Sequence, residues 1–314
     1  MTNDGRAPGG RSDGRVLILN PVSGDGEHAP RVRELAADHG FAVRETERSG
    51  DGIELAREAA REGADLVAAC GGDGTLNEVV RGLWNADALP GTAFAVVPGG
   101  TGNNFAGNVG IEGIEHAFEV VESGDWRTVD LGLVAVDGGE PLPFLNSCVG
   151  GLTANASAST SSEQKERFGV LAYVLNTLRE IASFEGIALD VTPVEGGEGW
   201  HGDALCVLIG NGRRFPGGGD EQANMEDGRL DVTIVEDYPT VDLASEAAVH
   251  RLFGRETRNI ARLQTTELDV TVHEGDPVTF SLDGELASVR HLHVESRPGT
   301  LRLPVGDAYD PAPG

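Results

Sequence analysis

Asp65 to Glu78 reads DLVAACGGDGTLNE, and the chain continues through Trp84 as VVRGLW. The run Asp65 to Cys70 has the length and apolarity of a buried strand. Leu76, Val79, Val80, Leu83 and Trp84 then recur at helical spacing. The order is therefore strand, glycine turn, helix. Glycines at 71, 72 and 74 let backbone N–H groups converge on an anion, and the following helix adds its positive N-terminal end. No Gly-Lys-Ser/Thr follows, Lys165 is the only lysine in the chain, and the G-x-G-x-x-G spacing is missing, so neither a Walker A loop nor a dinucleotide fingerprint is present. As a bare turn the glycines serve helix packing equally well. Asp73 separates the readings, because a carboxylate beside a phosphate is repulsive unless a metal intervenes or it takes a proton. It points to Mg²⁺-nucleotide chemistry.

Outward from this stretch, strands and helices alternate. Arg15 to Leu19 (RVLIL) is a strand followed by the turn Asn20-Pro21-Val22-Ser23-Gly24, and Pro30 to His39 is a helix. Phe41 to Glu45 is a second strand ending at Thr46, and Asp51 is placed to cap a helix running through Arg61. Thr92 to Val97 is another buried strand, followed by Pro98 to Ala106, PGGTGNNFA. Such alternation implies βα units and a mostly parallel sheet. Three glycine-bearing loops then lie at the carboxyl ends of strands, where open α/β sheets bind ligands.

From about Val129 the apolar runs become short and alternating: Leu131 to Val136, Leu189 to Val194, Ala204 to Ile209, Leu230 to Val235, Leu268 to Val272 and Val278 to Leu282. This is the pattern of packed antiparallel sheets. One helix is expected at Gly169 to Phe184, after the polar stretch Ala156 to Glu166. The predicted division is a polar, Gly-rich disordered leader at 1–14, an α/β domain at 15–129 and a β domain at 130–314 whose last strand can return to the first.

With 51 acidic residues against 24 basic ones the net charge is −27. Such a surface repels nucleic acid, which needs basic groups to neutralise its phosphates, and opposes adsorption to anionic membrane. The lysine-poor acidity resembles proteins of salt-loving microbes, where the Debye length falls to about 3 Å at 1 M salt. Cys70, Cys148 and Cys206 show no CxxC pairing and read as small buried hydrophobes. His291 and His293 alternate on one expected strand. No apolar run spans a bilayer.

GGDGTLNEVV, with NPVSG before it and PGGTGNNFA after it, resembles the diacylglycerol kinase catalytic-domain family of soluble lipid kinases, which includes bacterial diacylglycerol kinases and sphingosine kinases. GGDGT is shared with the related NAD kinases; the other motifs are not usual there. The resemblance implies a Rossmann-like α/β nucleotide-binding domain followed by a β-sandwich domain, with the active site in the interdomain cleft. It implies ATP held by Asn20, Pro21, Val22, Ser23 and Gly24, by Thr46, by Gly72, Asp73, Gly74, Thr75, Leu76, Asn77 and Glu78, and by Thr101.

Two later motifs complete the resemblance. By pattern alone, Asp227-Gly228 and Asp283-Gly284 are hairpin turns. The segment GNGRRFPGGGDEQANMEDGRLDV resembles the family's Mg²⁺-binding stretch, which implies a side-chain ligand from Asp227 and carbonyl ligands from Asn224 and Arg229. Asp283-Gly284-Glu285 resembles the family's DGE, which implies that Glu285 is the general base, with Asp73 organising the metal and its waters. The expected function is ATP-dependent phosphorylation of a diacylglycerol-like or related lipid alcohol. A NAD kinase and a non-catalytic nucleotide- or lipid-binding regulator are the alternatives. The expected setting is cytoplasmic, with transient peripheral contact at the inner membrane surface; a homodimer is left open. Asn146 to Ala154 (NSCVGGLTA) lacks the aspartate that many diacylglycerol kinases carry there.

Overall fold

A computed structural model of the protein describes residues 14–151, 186–213, 222–237, 260–273 and 275–313. The expected leader but for Gly14, the helix at Gly169 to Phe184, the polar stretch before it and the glycines at 217–219 lie outside them. Contacts divide the chain into two units. One comprises the described residues through Leu131 together with Pro298–Ala312; the other is Gly132–Arg297 with the C-terminal tip.

In the first unit β1 (Arg15–Leu19), α1 (Ala29–Asp38), β2 (Ala42–Glu45), α2 (Asp51–Arg61), β3 (Leu66–Gly71), α3 (Asp73–Asn85) and β4 (Ala93–Pro98) alternate as the pattern predicts. The strands form a parallel sheet in the order β2-β1-β3-β4, with Leu17 opposite Ala68 and Ala68 opposite Ala95. β3 is buried throughout, and β4 up to Pro98, which is why both read as unbroken apolar runs. The edge strand β2 is polar instead, and Glu45 takes a bidentate pair from Arg33 at 2.7 and 3.0 Å. Such an edge resists further pairing.

α2 and α3 pack without spacing side chains. A Cβ on Gly82 would sit 2.3 Å from the Ile53 carbonyl oxygen and 2.6 Å from Ala56 Cβ. Asp51 does not cap α2 as expected. Gly50, in the left-handed region at φ 87°, is the N-cap, and the Asp51 carboxylate accepts instead from the Glu47 and Arg48 N–H groups at 2.9 and 3.0 Å. Those bonds, that from Glu47 foremost, hold its carboxyl below the usual range. Beyond β4 come the short α4 (Asn104–Asn108) and α5 (Ile114–Ser123). Residues 298–312 also belong to this unit: the Gly299 N–H reaches buried Asp130 at 2.8 Å and the Gly306 N–H reaches the Val109 carbonyl at 2.9 Å.

The second unit is antiparallel. β5 (Asp125–Val136) enters it and β15 (His291–Val305) leaves it. Between them run β6 (Leu142–Phe144), β7 (Ser147–Gly151), β8 (Ile187–Pro193), β9 (Trp200–Gly210), β10 (Leu230–Glu236), β11 (Ile260–Thr265), β12 (Glu267–Val272), β13 (Val278–Leu282) and β14 (Glu285–Val289). The long β9 joins the whole. Its first half pairs with β8, its second half with β7, and its other edge with β10. The unit's strands are hydrogen-bonded into one eleven-stranded network that branches at β9. Alternate residues, among them Val191, Val207, Ile209, Val232, Val270 and Phe280, fill one core. Two glycines make room for rings. A Cβ on Gly150 would lie 2.3 Å from the Phe280 ring, and one on Gly132 would lie 2.4 Å from Phe144.

All three cysteines are buried, and burial pushes the Cys70 and Cys206 thiols up to about 12. Among the described residues no helix is long and apolar enough to cross a membrane. The helix contact at Gly82 leaves no room for a side chain. Gly82→Ala is expected to lower the unfolding free energy by about 1–3 kcal/mol through overpacking, measured by denaturant titration.

Candidate functional site

Each strand of the first unit that ends in a glycine loop delivers that loop to the same edge of the sheet, and side chains tie the loops together. After β1, the Asn20 N–H continues the ladder to the Cys70 carbonyl at 2.9 Å. Its amide donates to Thr75 Oγ1 at 3.1 Å and its Oδ1 accepts the Val22 N–H at 3.2 Å. Asn20 thus joins the first loop to α3. Ser23 joins it to the third loop, its hydroxyl donating to the Gly99 carbonyl at 2.8 Å. Gly24 turns at φ 61° with a would-be Cβ 3.1 Å from that same carbonyl. Val22 is 80% exposed.

The second loop touches the third backbone to backbone. A Cβ on Gly100 would lie 2.3 Å from Gly72 Cα, and one on Gly71 would lie 2.5 Å from Thr75 Oγ1. No side chain fits at either place. Asn103 closes the third loop on itself, accepting the Gly100 N–H at 3.1 Å and donating to the Gly100 carbonyl at 2.8 Å. Gly74, where a Cβ would meet nothing within 4 Å, Thr101, Gly102 and Asn104 are exposed. α3 starts from Gly72 with no side chain capping it, so its first N–H groups lack intrahelical partners.

The structure gives several predicted residues definite work within the protein. The Asp73 carboxylate accepts three N–H groups of the third loop: Oδ2 from the Asn104 backbone at 3.1 Å and side chain at 3.0 Å, and Oδ1 from the Phe105 backbone at 3.0 Å. It caps α4 from another element. Glu78 does the same for α2, accepting the Gly50 and Gly52 N–H groups at 2.8 and 3.1 Å. Thr46 is buried, its N–H on the Leu19 carbonyl at 2.9 Å. Leu76 packs in the core. Asn77 is buried as well, with its Oδ1 unpartnered among the described residues. Pro21 is half-buried at the start of the first loop.

In the second unit, Asp283 and Gly284 occupy a two-residue turn with φ 46° and 102°. Leu282 pairs with Glu285 across it, the geometry of a type I′ hairpin. Glu285 stands exposed at the head of β14. Sequence reasoning passed over Asp283 as a turn residue, yet its carboxylate accepts the N–H groups of Leu145, Asn146 and Ser147, the last two at 2.9 Å each. The same segment is gripped from β9's end, where buried Asn211 donates to the Leu145 carbonyl at 3.1 Å. The DGE hairpin, the GNG turn and Asn146 therefore meet. The Ala223 N–H on the Gly212 carbonyl at 3.2 Å brings the expected metal turn to this group.

In that turn Asn224 Oδ1 accepts the Glu226 N–H at 3.0 Å and Asp227 Oδ1 accepts the Arg229 N–H at 2.9 Å. Loss of hydration raises the Asp227 carboxyl above the usual range, the Asp231 carboxylate adds to the rise, and the Arg229 N–H opposes it. A carboxylate short of compensating positive charge, on a turn rich in oxygen donors, fits a hard cation such as Mg²⁺. Among the described residues no cluster of three or more His, Cys, Asp or Glu side chains could hold a metal; the expected set uses one side chain and two backbone carbonyls. His291 and His293 both face Asp269, at 3.3 and 3.0 Å.

Comparison with known proteins matches residues 15–134 to the diacylglycerol kinase catalytic domain and residues 146–305 to the YegS C-terminal NAD kinase beta sandwich-like domain. The chain is 33% identical over 305 residues to a Cronobacter sakazakii protein named "Probable lipid kinase YegS-like", covering 94% of this chain and 97% of that one. It is 31% identical over 296 residues to an Escherichia coli K12 protein named "Probable lipid kinase YegS", covering 91% and 94%. A solved diacylglycerol kinase from Bacillus anthracis str. Sterne superposes with a TM-score of 0.71 at 23% identity, over 94% of this chain and 98% of that one, a likeness of fold.

Because the Asp73 carboxylate caps α4 through the Asn104 and Phe105 N–H groups, Asp73→Ala is expected to cost about 0.5–2 kcal/mol of stability through loss of that cap. Chemical denaturation of the variant beside wild type measures it.

Proposed function

The chain belongs to the diacylglycerol kinase catalytic-domain family, and from that premise we propose that it is a lipid kinase transferring the γ-phosphate of ATP to the hydroxyl of a lipid alcohol. The observation that carries this reading is the assembly of three glycine loops at the carboxyl ends of β1, β3 and β4, tied together by Asn20, Ser23 and Asp73.

The loops offer backbone N–H groups to phosphate oxygens at Gly24 and at Gly72, Gly74 and Thr75, beside the uncapped start of α3, and Thr101 adds an exposed hydroxyl. The close contact of Gly72 with Gly100 keeps these donors fixed before the nucleotide arrives, so little ordering entropy is lost on binding. The Asp73 carboxylate, already hydrogen-bonded to the third loop, holds that loop and orders water at its edge. Asp227, with the Asn224 and Arg229 carbonyls, would hold Mg²⁺, which supplies positive charge against the phosphates when bound.

Glu285 takes the acceptor hydroxyl's proton as the oxygen attacks phosphorus in line with the departing ADP oxygen. The Asp283 turn fixes its backbone through three N–H bonds to Leu145, Asn146 and Ser147. The acceptor class rests on the relatives named as lipid kinases and on the second domain shared with them.

The test is transfer of radiolabelled γ-phosphate from Mg²⁺-ATP to a total lipid extract, with NAD as a parallel acceptor. Wild type should label a lipid, and Glu285→Gln should lower the rate about 10²–10⁴-fold, the share general-base catalysis supplies, while ATP binding is unchanged. Label on NAD alone would establish the NAD kinase reading, and no transfer by folded protein that binds ATP would leave a binding module.

A further inference from the structure

His28 is the N-cap residue of α1, yet its ring does not cap that helix. The ring turns back under the first glycine loop. Its Nε2 lies 3.1 Å from the Asn20 carbonyl and 3.4 Å from Ser23 Oγ. On its other side the ring abuts the third loop, for a Cβ on Gly99 would stand 3.0 Å from both His28 Cδ2 and Nε2. The remaining ring nitrogen, Nδ1, is buried and has no partner among the described residues.

These contacts fix the tautomer. The Asn20 carbonyl only accepts, so Nε2 carries the proton and Nδ1 the lone pair. Nε2–H then donates to the Asn20 carbonyl and leans toward Ser23 Oγ, whose own hydroxyl donates to the Gly99 carbonyl at 2.8 Å. One set of ties, the His28 Nε2–H on the Asn20 carbonyl and the Ser23 hydroxyl within reach of the Gly99 and Asn20 carbonyls at 2.8 and 3.1 Å, spans the first and third loops. It sets the height of Asn20 to Gly24 against the third loop.

We propose that His28 is a positioning residue for the nucleotide: its Nε2–H holds the first glycine loop in the conformation that receives the phosphates. This rests on the ATP reading above. His28 itself meets loop backbone, the Ser23 hydroxyl and the Gly99 edge, so its influence falls on nucleotide affinity and not on the transfer step. No motif drew attention to it, since it lies beyond the glycines in the polar run Asp25 to His28.

The discriminating variants separate ring volume from the donor. His28→Phe keeps a ring and loses the N–H. His28→Gln carries an amide N–H at the same reach from Cα. His28→Asn is polar but one bond too short. Binding of Mg²⁺-ATP by calorimetry, and KM and kcat in the transfer assay, are read for each variant after circular dichroism has shown it folded.

We expect His28→Phe and His28→Asn to weaken ATP binding and raise its KM at least tenfold with kcat within threefold of wild type, and His28→Gln to restore both values to within threefold. If His28→Phe does not fold, the His28→Asn and His28→Gln pair decides alone. Unchanged ATP affinity in the folded His28→Phe and His28→Asn variants overturns the assignment, as does a His28→Gln protein impaired as much as they are. Failure of wild type itself to bind ATP overturns the nucleotide reading, and this inference with it.

Discussion

The contact of two backbones, Gly72 against Gly100, is the constraint on which the first unit's ligand edge depends. With a would-be Cβ on Gly100 only 2.3 Å from Gly72 Cα, the loops after β3 and β4 approach as closely as main chains can. Side-chain bonds then have to supply the specificity that packing cannot. Asp73, Asn103, Ser23 and Asn20 do so, each joining two loops or closing one. Part-buried side chains matched to the donors and acceptors of neighbouring loops favour one arrangement, because an alternative gives up several of these bonds at once.

The second unit solves the same problem with the same chemistry. There the Asp283 carboxylate takes three successive N–H groups from Leu145 to Ser147, and Asn211 adds its amide from the opposite strand end. A turn aspartate at positive φ costs some backbone strain, which these bonds offset. Glu285 gains from this, since the hairpin that carries it is anchored two residues earlier. In both units an aspartate of the motif, Asp73 or Asp283, is bonded to the protein's own backbone.

The fold was legible because its signals are local. β3 and β4 announce themselves as buried apolar runs, and Leu76, Val79, Val80 and Leu83 mark one face of α3 within a few residues of the glycine turn. The strands the pattern missed have no such signal. β7 reads Ser-Cys-Val-Gly-Gly because Gly150 must clear the Phe280 ring, and β6 is three residues long. Side-chain roles were less legible, since they depend on partners far along the chain. Asp73 and Asn104 are 31 residues apart, and Asp283 and Ser147 are 136 apart. Nothing in GGDGT says that its carboxylate caps another helix, and nothing in NPVSG says that a histidine four residues later lies beneath it.

The central claim is that the three loops of the first unit form one preassembled phosphate site. Hydrogen–deuterium exchange with and without Mg²⁺-ATP tests it most directly. The account predicts slow exchange at Leu76 and Phe105, whose N–H groups are bonded to the Gly72 carbonyl and to Asp73, before ligand is added. On adding ATP, it predicts simultaneous further protection at residues 22–24, 72–76 and 99–105. Protection of one loop without the others, or none of them despite saturating ATP, would contradict it.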